Sequence, residues 1–510
     1  MESDVWAERR SEKGNVVEFN GPIWEYLMKF RQLRIILVFL SAFLIVVGPF
    51  NGPVQAELSI EDEQKMGKQF IIAALRYLKL VEDPEVAAYL NRVGQRVVNH
   101  LEVHTFNYNF YVVDSDQLNA FAAPAGYVFI NRGLVQIMDD EGELAAILAH
   151  EIAHVQSRHI SQRMDRAKKL SLASIGGILA SIFLGAAGAG DAGTAVLAGS
   201  MAGSQSMQLQ YSRMDEEEAD RKGLLYLEAA GYQGQDFVTV MKKMGQDSWK
   251  TGGPIPGYLT THPGVPERVN YLASIMETRP NSSRRTRIRV EDSVAFKMVQ
   301  ARLFGGYEDP EEAEVTLRAW LAKPETRVMA HYGLGIVHRR QGRMKQSVES
   351  FRTAISERPD LPPILIELGE TYFQMGELDK SISVLQSALI LDPNQPYALY
   401  VLGLCLLEQG KPMEASTHLA KAAQIYPRLP DIHYHLGMAY GRANQLGQSH
   451  YQLGLYELSK RNGSLPLARF HFQEALRHTE NPELEKEIRS YLEKLDKRIR
   501  AEQQAQHRGR

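Results

Sequence analysis

Apolar residues recur every three to four positions through "IEDEQKMGKQFIIAALRYLK", behind the N-cap candidate Ser59, and through "DPEVAAYLNRVGQRVVNHL" from Asp83, which predicts two helices. The period then changes. In "TFNYNFYVVD" the residues Phe106, Tyr108, Phe110 and Val112 share one side, and "GYVFINRG" from Gly126 is a short β-rich run between glycines, so two strands are expected. Helical spacing returns at Glu141 and continues to about Arg166. It resumes from Met214 to a glycine stop at Gly231, and again from Glu267 after a Gly- and Pro-rich loop over 251–266.

Further on, the pattern repeats. Leu-Gly recurs at Leu334-Gly335, Leu368-Gly369, Leu402-Gly403 and Leu436-Gly437, each step being 34 residues. Gly342, Gly376 and Gly410 keep that interval, as do Ala354, Ala388 and Ala422, and Pro359, Pro393 and Pro427. Four position classes in phase resemble the tetratricopeptide repeat, a helix pair whose small residues let the two helices pack closely. The register is broken after Leu436, where Asn444 stands in place of the next glycine, and a variant repeat runs from Leu453-Gly454 to Pro482. An α-solenoid over 292–500 follows, with an irregular cap before Pro324 and a polar tail over 501–510.

The 510 residues exceed one ordinary core, and 44% hydrophobic with 23% charged residues is a globular mixture. A net charge of −3 gives no basic field, so nucleic acid is not an expected partner. Cys405 is the only cysteine, which excludes an intrachain disulfide and an all-cysteine metal site. Ahead of the first helix, Lys29, Arg31 and Arg34 precede an apolar run from Ile35 to Val47 and small residues up to Ala56. This reads as an export signal over 28–56, cleaved after Ala56, with 1–27 an extension before a better start at Met28; the run is short of the roughly 20 residues of a membrane span. Residues 171–206, almost uncharged and rich in Gly, Ala and Ser, fit a membrane hairpin, an interfacial patch or a small-residue helical lid, and Asp191 and the glycines favour the lid. The arginine-rich 279–291 is the expected linker between a domain over 57–278 and the repeats.

The chemistry centres on "LAAILAHEIAHVQSRH". On a helix, His150 and His154 share a face and can hold one ion, and Glu151, one position round, reaches a water on that ion. Zinc of this kind takes three protein ligands and acidifies its water to a pKa of about 7. Glu151 would take that proton and pass it to a leaving amine. HExxH alone also arises by chance, so a third ligand must decide. His159 follows His154 by five, where a metzincin has its histidine at six behind a glycine; it is expected to be structural or to support a ligand. Glu216 and Asp220 share a helical face, so one can bind zinc while the other holds a liganding histidine; Glu217 and Glu218 face elsewhere.

"HEIAH", followed 62 residues later within "SRMDEEEAD", resembles the zinc peptidases that include the CAAX prenyl protease and the heat-shock protease HtpX. "NAFAAPAGYVFINRGL" and "THPGVPERV" extend the likeness. The resemblance implies a mainly α protein: an α+β zincin-like metallopeptidase domain with a small sheet, then the solenoid. It implies one zinc per chain on His150, His154 and Glu216, with Glu151 as base and Asp220 behind a ligand. His262 is then a candidate fourth ligand that must leave before substrate enters, and Arg268 a candidate contact to the substrate carbonyl. Gly126, Tyr127, Val128, Phe129, Ile130 and Asn131 are expected as an edge strand that pairs with substrate. Together, signal, peptidase and repeats are similar to the periplasmic β-barrel assembly-enhancing proteases. That implies a periplasmic protein acting on unfolded or stalled outer-membrane proteins, engaging the β-barrel assembly machinery through its repeats, with peripheral membrane contact open. The alternative is a chaperone or adaptor whose proteolysis is latent.

Overall fold

The computed structural model describes residues 58–166, 211–250, 257–278, 290–429, 431–460 and 463–508. The expected extension and export signal, the 171–206 segment and most of the expected linker lie outside them. No described helix is long and apolar enough to cross a membrane.

Ser59 and Asp83 cap the first two helices, α1 (Ile60–Tyr77) and α2 (Pro84–Val98). Three strands follow, β1 (Asn109–Val113), β2 (Ala120–Ala123) and β3 (Tyr127–Asn131). Their alternation gives the sheet two apolar faces. Phe110, Val112, Ala122, Val128 and Ile130 join the core around α2, whereas Phe121, Ala123 and Phe129 pack with Met66, Phe70 and Ala74 of α1. The sheet order is β1-β3-β2, with β1 parallel and β2 antiparallel to β3. This corrects the expectation for Gly126–Asn131. Its strand lies in the middle, with a neighbour on both sides, and no free edge remains there for a substrate; among the described residues the edges belong to β1 and β2.

After α3 (Arg132–Gln136), Asp140 caps the motif helix α4 (Glu141–Gln156), which is buried on all sides from Glu141 to Val155. Helical spacing predicted one helix to about Arg166. Instead the chain breaks at Arg158, whose φ is 54°, and restarts as α5 (His159–Arg166). Helix α6 (Arg213–Ala229) opens with a capping box between Ser212 and Asp215. Then come α7 (Gly234–Lys250), α8 (Gly257–Thr261), a short helix inside the expected loop, and α9 (Val265–Thr278).

Helix α10 (Val290–Tyr307) serves two cores: Phe296, Val299 and Leu303 pack with α2 and α4, while Met298 and Ala301 pack with the first repeat. Buried Arg302 on α10 ties Asp83 to Glu367, and Gln300 binds the Val135 and Met138 carbonyls. After α11 (Pro310–Trp320) the repeats form four antiparallel pairs: α12 (Arg327–Arg340) with α13 (Met344–Glu357), α14 (Pro362–Gln374) with α15 (Leu378–Leu391), α16 (Pro396–Glu408) with α17 (Pro412–Ile425), and α18 (Ile432–Arg442) with α19 (Leu446–Ser459). Helices α20 (Leu465–His478) and α21 (Pro482–Arg508) close the array, so the expected tail continues the last helix. A Cβ on Gly369 would lie 2.7 Å from Leu385, which is why each Leu-Gly step needs its glycine. Asn444, with φ 58°, takes the left-handed turn that Gly342, Gly376 and Gly410 make earlier, and so keeps the fourth pair in register.

Candidate metal centre

Helices α4 and α6 pack so closely that a Cβ on Gly223 would meet the His150 backbone at 3.1 Å. This contact lays Glu216 and Asp220 against the histidines of α4. Short helix α8 delivers His262 from the other side, and Tyr211 N–H donates to the Thr261 carbonyl at 3.1 Å. His150, His154, Glu216 and His262 are all buried, and one ligand atom from each falls within 4.8 Å of the others.

The spacing suits a tetrahedral cation. Tetrahedral bonds of about 2.0–2.2 Å place ligand atoms roughly 3.3–3.6 Å apart. His150 Nε2 lies 3.0 Å from His154 Nε2 and 3.3 Å from His262 Nδ1. Glu216 Oε1 is 3.0 Å from His262 Nδ1 and 3.4 Å from His154 Nε2, and its Oε2 is 3.5 Å from His150 Nε2. Three imidazole nitrogens facing one another in a water-excluded space need a cation or protons between them. The donor set of imidazole and carboxylate fits a metal ion.

Glu151 sits beside this group. Neither of its carboxylate oxygens has a hydrogen-bond partner among the described residues, Oε1 lies 3.5 Å from His262 Nε2, and burial pushes its carboxyl up. Burial alone would lower His150, but Asp220 and Glu216 outweigh it and hold it at about 9. Burial and the charge of His150 push His154 well below its ordinary value.

Behind His150, Asp220 Oδ1 lies 3.1 Å from Nδ1. Arg268 donates to Asp220 through Nε at 2.8 Å and through its guanidinium at 2.6 Å, and a second guanidinium nitrogen lies 2.5 Å from Glu216. Arg268, a candidate contact to a substrate carbonyl, is thus engaged by two carboxylates. Behind His154 stands His159, Nδ1 to Nδ1 at 2.9 Å. Glu217 pairs with Arg221 at the surface, but Glu218, expected to face elsewhere, reaches His159. Two aromatic residues escaped sequence reasoning. Tyr211 stacks on His154 at 3.8 Å and Tyr258 on His262 at 4.3 Å. Tyr258 and His262, four apart, carry a visible helical spacing; Tyr211 carries no such signal.

A helix bearing HExxH, a carboxylate from a second helix and a small sheet, followed by an α-solenoid, define a metallopeptidase-type domain joined to helical repeats. Residues 84–276 match the model of peptidase family M48, and residues 298–362, 369–410 and 397–428 match tetratricopeptide-repeat models. The chain thus carries an M48 peptidase domain followed by tetratricopeptide repeats. It is 31% identical over 284 residues to the beta-barrel assembly-enhancing protease of Yersinia pestis, covering 55% of this chain and 57% of that one. To the protein of that name in Escherichia coli K12 it is 31% identical over 250 residues, 49% and 50% of the two chains. To the mitochondrial metalloendopeptidase OMA1 of Arabidopsis thaliana it is 32% identical over 182 residues, 35% and 34% of the chains. The chain spans about half the length of the beta-barrel assembly-enhancing proteases it matches.

Proposed function

We propose that this protein is a zinc-dependent endopeptidase, with His150, His154 and Glu216 as ligands, that removes misfolded or stalled outer-membrane proteins. The observation that carries the reading is the convergence of four candidate ligand atoms beside the buried Glu151 carboxylate, whose oxygens have no hydrogen-bond partner among the described residues. Zinc held there would supply a Lewis acid and an acidified water. Glu151 accepts a proton at its carboxylate and returns it to the leaving amine, a task suited to a carboxyl whose proton affinity burial has raised. Asp220 orients His150. The repeats supply a protein-binding surface, and the relatives' name, beta-barrel assembly-enhancing protease, supports β-barrel clients and contact with the assembly machinery; the basic flank and apolar run before Ala56 support export to the periplasm with cleavage near that residue. The test is metal content together with cleavage of casein and of an unfolded outer-membrane protein. We expect one zinc per chain and chelator-sensitive cleavage that Glu151→Gln abolishes without loss of zinc. Cleavage that survives Glu151→Gln would overturn the reading.

A latent site, in which assembly assistance dominates, is favoured by His262. It offers a fourth ligand atom, and its ring stacks on Tyr258 at 4.3 Å and lies tilted against Tyr211 at 5.0 Å between ring centroids. In this reading His262 closes the centre at rest and withdraws for substrate. His262→Ala should then raise basal cleavage; an unchanged or lower rate removes the latch.

A further inference from the structure

We propose that His159 is a positioning residue, which fixes the ring of His154 for the metal through an imidazole–imidazole–carboxylate chain ending on Glu218. The inference rests on the metal-centre reading above. With Nε2 of His154 turned to the cluster, its Nδ1 carries the proton and donates to Nδ1 of His159 at 2.9 Å. His159 must then carry its proton on Nε2, which lies 3.4 Å from Glu218 Oε2. Glu218 is fixed in turn by Ser157 Oγ at 3.0 Å and Lys222 Nζ at 2.7 Å. Each donor in the chain meets one acceptor, so the tautomers of both rings are set from the far end.

The backbone is built for this contact. On an unbroken helix, a residue five positions on points well away from its predecessor. The break at Arg158 turns His159 back onto His154, and it is held from outside: Arg158 Nε donates to Glu63 at 2.8 Å, and its guanidinium donates to the Leu58 carbonyl. The two liganding imidazoles of α4 therefore have unlike supports. His150 leans on a carboxylate clamped by Arg268, whereas His154 leans on a neutral ring whose carboxylate lies one residue further out, partly in solvent.

The experiment is zinc affinity of the full chain by competition with a chromogenic chelator, alongside melting of the metal-free protein. His159→Phe keeps the ring volume and removes the acceptor; zinc affinity should fall about 10- to 100-fold. His159→Asn, whose Oδ1 falls near the place of Nδ1, should restore much of that loss, and Glu218→Ala, at a half-exposed position, should weaken binding in the same direction by less. With cobalt in place of zinc, His159→Phe should shift the visible absorption bands. Wild-type affinity in His159→Phe, or losses in melting temperature alone, would overturn the proposal and leave the metal centre standing. Should His159→Phe fail to fold, His159→Asn and Glu218→Ala decide it, wild-type affinity in Glu218→Ala counting against the chain. A wild-type protein that binds no zinc would overturn the functional reading itself.

Discussion

Arg268 holds Asp220 with two donors and Glu216 with a third nitrogen, so one buried cation neutralises both the acid behind His150 and the acid facing the metal position. Against burial, which alone would raise it, His262 and Arg268 hold Glu216 well below the usual carboxylate range. Removing Arg268 strands two buried carboxylates, a change that costs about 3–5 kcal/mol when one partner of a buried pair is lost. A bound divalent cation would offset part of that cost. Arg268→Ala should therefore destabilise the chelator-treated protein more than the metal-loaded one, as read by paired melts. Equal losses in both would mean that Arg268 acts on packing and not on the charge of the centre.

Gly223 sets the distance between α4 and α6. An added Cβ would meet His150 Cα at 3.1 Å and the Ala149 carbonyl carbon at 3.3 Å, both backbone, so neither can rotate away. Alanine gains about 1 kcal/mol of helix propensity over glycine, and overpacking a tight contact costs about 1–3 kcal/mol. With backbone as the neighbour the second effect wins. Gly223→Ala should lower stability by about 1 kcal/mol and weaken metal binding, because Glu216 moves away from His150. Chelator competition and denaturant melts check the two effects separately, and unchanged metal affinity would place the α4–α6 spacing elsewhere.

The parts that could be read from the sequence are those fixed by local periodicity. The 34-residue period announces the helix pairs, and the four-residue spacings of His150 with His154 and Glu216 with Asp220 put each pair on one face. Strand order was not legible, because alternation says which face a residue takes and not which strand lies beside it; hence Tyr127–Asn131 read as an edge and proved central. The break after Gln156 was equally hidden. Ser157-Arg158-His159 contains neither glycine nor proline, and a left-handed arginine costs about 1–2 kcal/mol, offset here by contacts to Glu63 and Leu58 from an element some 95 residues earlier. His262 and Arg268 carry no periodic link to α4, and only the folding of α8 and α9 across the site brings them in.

The repeats return to the peptidase domain at Arg428. Its guanidinium lies 5.5 Å from the centre of the Tyr111 ring on β1 and donates to the Tyr111 hydroxyl at 3.2 Å. An exposed cation–π contact of this kind contributes about 0.5–1 kcal/mol, or about a two- to fivefold change in an opening equilibrium. Arg428→Ala should speed hydrogen exchange in Asn109–Val113 by that factor and leave metal binding unchanged. Exchange at the wild-type rate would show that the contact does not hold the strand.

Glu85 should make the joint between the two domains sensitive to pH. It lies on α2 beside Asp83, its buried Oε1 has no hydrogen-bond partner among the described residues, and Arg302 bridges Asp83 to Glu367 nearby. Burial pushes the Glu85 carboxyl up to about 7, with Asp83, Glu367 and Asp392 adding to the effect and Arg302 opposing it. An unfolded chain loses this proton near 4.5. Between these two values the folded protein keeps a proton that the unfolded chain has released, so stability falls as pH rises through the window, and the penalty is complete above it. At about 1.4 kcal/mol per pH unit, the full penalty reaches about 3 kcal/mol. Glu85→Gln keeps the shape and removes the charge. It should therefore leave stability unchanged near pH 4 and raise it at pH 8, and a melting profile across that range that parallels the wild type would show that Glu85 ionises in place without cost.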